Sequence, residues 1–64
     1  MIIYAIITIG RQVQGEEIMV RFEKAFTDQS RAESFAKNLP KMHTENNGQT
    51  QFVCERGIHL IDVE

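Results

Sequence analysis

The run Ile2–Ile9, Ile-Ile-Tyr-Ala-Ile-Ile-Thr-Ile, sets the tightest limit on how this chain can fold. It holds five isoleucines in eight residues and lacks Gly, Pro and charge. Side chains branched at Cβ are stiff about χ1 and suit a pleated surface better than a helix, so the run reads as a strand. Successive strand side chains point to opposite faces. Ile3, Ala5, Ile7 and Ile9 therefore share one face, and Ile2, Tyr4 and Ile6 the other. Both faces are apolar, and each needs cover.

The rest of the chain offers little cover. With 64 residues it makes one domain, residues 1–64. Chains this short are marginal unless disulfides, a metal or association help them. A single cysteine, Cys54, cannot form an internal disulfide.

Gly10 and Gly15 bracket a polar stretch that reads as a hairpin connection. A second strand is expected over residues 16–26, with Ile18, Val20 and Phe22 on one face and Met19, Arg21, Glu23 and Ala25 on the other. Thr27-Asp28 can cap a helix, in competition with a capping box at Ser30–Glu33. Ala32, Phe35, Ala36 and Leu39 follow at helical spacing as one apolar stripe. Pro40 ends this helix near Asn38 or Leu39, or kinks it so that Met42 and His43 extend the stripe. Asn47-Gly48 is a turn signal. A third strand is expected over residues 50–55 and a last one over 58–63. Between them Arg56-Gly57 makes a tight turn, or Gly57 is a bulge in one longer strand.

The outcome is an α+β domain, ββαββ, with a small, mostly antiparallel sheet and one helix across one face. The helix brings two large apolar side chains, Phe35 and Leu39, and two alanines, enough for one sheet face. The richer set Ile3, Ile7 and Ile9 is assigned to the core beneath it. Ile2, Tyr4, Ile6 and Met19 are then the expected contact residues on the open face, where large apolar patches mark interaction surfaces.

Chemistry is harder to find. His43, Cys54 and His59 are the residues with reactive or ligand potential. Cys54 and His59 would make a nucleophile pair if they met across a tight hairpin, but no third group is placed to orient the histidine. A buried apolar role suits the cysteine better. A zinc site from His43, Cys54, Glu55 and His59 lacks paired ligand spacing. Glu16 and Glu17 are adjacent and diverge on a strand. Gly10 and Gly15 are not followed by the Lys-Ser or Lys-Thr of a phosphate loop. Very small tautomerases begin with a proline nucleophile, whereas this chain begins Met-Ile-Ile. No catalytic residue, metal ligand or cofactor is assigned.

Formal net charge is −2 and the pI about 5.6, without a block of either sign. That argues against nucleic acid as a partner, since such binding rests on clustered Lys and Arg. The apolar start is too short to span a bilayer and lacks the basic leader and cleavage site of a signal peptide, so a cytoplasmic location is expected. The leading expectation is a non-enzymatic module that forms a homodimer through its open sheet face. The alternative is a small adaptor or inhibitor that uses this face on a different protein. A nucleic-acid-binding protein and a Cys/His enzyme rank below both.

Overall fold

A computed structural model describes all residues, 1–64. Its elements are β1 (Ile2–Gln12), β2 (Ile18–Phe26), α1 (Gln29–Asn38), β3 (Met42–Glu45) and β4 (Thr50–Asp62). The strands form one sheet in the order β2-β1-β4-β3, and every neighbouring pair is antiparallel. This is the small α+β, ββαββ arrangement, with α1 packed on β1, β4 and β2.

Local chemistry sets the helix ends. The Asp28 side chain accepts a hydrogen bond from the Ser30 backbone N–H at 2.9 Å, so the earlier of the two candidate caps is used. Leu39 is the C-cap in an extended conformation, as expected of a residue before proline. The helix does not continue through Pro40.

Met42–Glu45 is instead a short strand, the element missing from the expected set. It pairs with β4 from Met42↔Val53 to Glu45↔Thr50. Asn46, Asn47 and Gly48 close this hairpin with φ of 54°, 58° and 88°, left-handed angles that asparagine and glycine tolerate best. The two strands expected over 50–55 and 58–63 are one strand. Its register against β1 runs unbroken from Gln12↔Phe52 to Ile2↔Asp62, and Gly57 sits in it opposite Ile7. Gly57 is neither turn nor bulge. The bulge lies in β2, where Ile6 pairs with Lys24 but Ile7 pairs with Phe22, leaving Glu23 unmatched.

The register also settles the faces. Cross-strand partners in a sheet point the same way. Phe52 and Cys54 are buried beside Gln12 and Gly10, and Phe26, the partner of Tyr4, packs on Phe35 of the helix with ring centroids 5.4 Å apart. The helix therefore covers the face carrying Tyr4, Ile6 and Thr8. Ile6 is completely buried there, with Ala32 of the helix, Phe52 and Thr8.

This reverses the expected assignment. Ile6 is core. Tyr4 is half-buried on the helix side, Met19 lies against Gly10 on the same side, and alternation puts Ile2 on that side as well. None of the four lies on the open face. Ile3, Ile7 and Ile9 are on it. Room decides the choice: on the helix side β1 narrows to Thr8 and Gly10, and a Cβ on Gly10 would lie 3.1 Å from the Met19 methyl and 3.2 Å from Phe52 Cβ.

Candidate functional site

The open face is built by alternation in all four strands. β2 contributes Ile18, Val20 and Phe22, which are 63%, 68% and 59% exposed. β1 adds Ile7 and Ile9 beside them, since Ile7 pairs with Phe22 and Ile9 with Val20. On the other flank, Val53 of β4 and Met42 of β3 form an exposed cross-strand pair, and Ile61 lies opposite Ile3. Polar groups interrupt the face: Arg11 of β1, between Ile18 and Val53, and on β4 Glu55 opposite Ile9 and His59 opposite Ala5. The apolar part is therefore densest over β2 and β1. Only seven of the 64 residues are buried, so the internal core is small and this uncovered apolar surface is large beside it.

A polar crosslink lies on the helix side, joining three strands. The Thr8 hydroxyl, itself buried, donates to Glu23 Oε2 at 2.6 Å and accepts from Arg56 Nε at 2.9 Å. Arg21 donates to the same carboxylate oxygen from Nε and Nη2, at 3.2 and 3.1 Å. Arg56 also donates through Nη1 to the Pro40 carbonyl, tying the segment after the helix to β4. Alternation from Arg21 puts Glu23 on the helix side, and the bulge lets Lys24, opposite Ile6, face the same way. The hydrogen bond from Thr8 does most to hold the Glu23 carboxyl below its ordinary range; desolvation opposes it, and the Arg21 and Arg56 charges assist. Nothing local in the sequence marks this cluster, since its members come from positions 8, 21, 23 and 56. The arrangement leaves its polar groups satisfied by one another and reads as a tie between strands.

The residues singled out for chemistry are dispersed. Cys54 is buried on the helix side, while His59 is exposed on the open side of the same strand. Alternation holds them on opposite faces, so no thiol–imidazole pair forms. His43 lies on the helix side, against the Phe52 ring and 3.6 Å from Glu45 Oε2. Glu55 shares the open side with His59. An open depression beside the end of α1 is lined by Lys37, Leu39, Lys41, Cys54, Glu55 and Arg56; its charges are of both signs and Arg56 is already engaged. No helix is long and apolar enough to cross a membrane.

No protein-family model, curated protein or solved structure matches the chain.

Proposed function

We propose that this chain is a protein-binding module whose primary partner is a second copy of itself, docked through the open sheet face. The observation that carries this reading is the row Ile18, Val20 and Phe22, standing exposed beside Ile7 and Ile9 on the side that has no helix. Monomers rarely leave a contiguous apolar patch of this kind uncovered. The size also suits a second copy. The molecule measures 42 × 21 × 14 Å, so its broad side is of the same order as the ~800 Å² per partner of an ordinary stable interface. Packing the face on itself about a two-fold axis sets apolar β2 and β1 against the same strands of the other copy, which is how isologous contacts form.

Light scattering at micromolar concentration tests it. The wild-type chain is expected at a multiple of its 7.4 kDa mass, and Phe22→Lys, a change at an exposed position, at a lower multiple with unchanged secondary structure. A wild-type particle of 7.4 kDa overturns the reading. Capture of a different protein by such a monomer would support the adaptor alternative.

A further inference from the structure

We infer that the outer edge of β4, from Gly57 to Val63, pairs antiparallel with the same segment of a second copy, so that two four-stranded sheets join into one. The inference stands on the sheet edge, independently of the face contact proposed above.

The edge is free because β4 is longer than its neighbour. β3 pairs only with Thr50–Val53, and the Lys41 carbonyl accepts from the Cys54 N–H at 2.8 Å. Beyond that point β4 has β1 on one side and no strand on the other. The hydrogen-bond phase is fixed at both ends. Val63 and Met1 exchange bonds across the β1–β4 pair, and the Val13 N–H donates to the Gln51 carbonyl. Antiparallel bonding alternates along a strand, so the odd-numbered residues of β4 bond to β1. Ile58, Leu60 and Asp62 turn their N–H and C=O groups outward, as Cys54 does toward Lys41.

Natural sheets protect such edges with bulges, lysine or proline. The other long edge, β2, has its bulge at Glu23 and carries Arg21 and Lys24. The β4 segment Gly-Ile-His-Leu-Ile-Asp-Val has no bulge, lysine or proline, and its single charged side chain is Asp62 near the end of the strand. Leu60 is 64% exposed and Ile61 is exposed on the other side of the ribbon.

A second β4 fits this edge in a self-complementary register. Centring the two-fold axis on Leu60 pairs Leu60 with its own copy and Ile58 with Asp62, so each outward donor meets an acceptor. The two Asp62 carboxylates stay apart. The same register carries Glu64 of the second copy to the stretch of edge beside Lys41, an exposed base. With the axis normal to the sheet, both helices fall on one side and both open faces on the other. The face contact can then pair two such joined sheets into a four-chain particle.

Amide hydrogen exchange on the assembled wild-type chain tests the pairing. The outward amides of Ile58, Leu60 and Asp62 have no partner within one chain. They are expected to exchange at least about a hundredfold more slowly than open amides, and to lose that protection on dilution. Exchange at the unprotected rate in the assembled particle overturns the inference. Native mass spectrometry separates the two contacts. Leu60→Pro, which removes an outward N–H that β1 does not use, is expected to halve the number of chains, while Leu60→Ala keeps it. An unchanged count in a folded Leu60→Pro chain overturns the edge contact. An unchanged count in Phe22→Lys with a halved count in Leu60→Pro overturns the face contact alone.

Discussion

At the scale of single residues, Thr8 is the hinge of the helix side. Its hydroxyl both gives and receives, linking Glu23 of β2 to Arg56 of β4 through β1. Thr8→Val keeps the shape and removes both bonds, leaving two largely buried charged groups short of a partner. A loss of about 1–3 kcal/mol is expected in urea unfolding, with most of it restored in Thr8→Ser. Glu23 adds a pH dependence of definite sign. Its carboxyl titrates below its reference value of 4.5 in the folded protein. The unfolded chain therefore takes up the proton first as pH falls. The contribution of Glu23 is complete above the unfolded-state value and disappears as pH drops through the folded one. Glu23→Gln is expected to lower stability at neutral pH and to flatten the loss as pH falls below 4.5, read from unfolding midpoints across an acid series. Ile6→Ala probes the core, at an expected cost of about 2–5 kcal/mol.

At the scale of elements, the first two strands, the helix and its cap were legible because their signals are local. Asp28 caps α1, and Asp28→Ala is expected to cost about 1 kcal/mol in thermal or urea unfolding. Proline geometry left a stop or a kink at Pro40, and the chain takes the stop, with Met42–Glu45 drawn into the sheet instead. Other boundaries were not legible, for physical reasons that can be named. Gly57 looks like punctuation, yet it occupies an ordinary ladder position whose open side accommodates the His59 ring: a Cβ there would lie 3.3 Å from His59 Nε2. β3 is four residues with no apolar alternation, and its only advance sign was the Asn47-Gly48 turn, which implies a strand on both sides. The direction of the open face was hidden because β1 is apolar on both sides. The trough at Thr8 and Gly10, the bulge at Glu23 and the Phe52–Cys54 side of β4 decide it together, and no one of them lies within a turn of the others in sequence.

For the whole molecule, the surplus of apolar side chains seen in the sequence survives the reversal of faces. One helix covers Ile6, Phe52 and Cys54, and a second set of comparable character stays in water. A chain with so few buried residues gains stability from any partner that covers that set, and a partner that binds only the folded state raises the unfolding temperature by mass action. Thermal unfolding against protein concentration is the most direct test. Over a hundredfold range the midpoint of the wild-type chain is expected to rise by roughly 5 °C or more, and that of Phe22→Lys to rise less. A wild-type midpoint that stays constant over the same range would show that the exposed face has no second copy upon it.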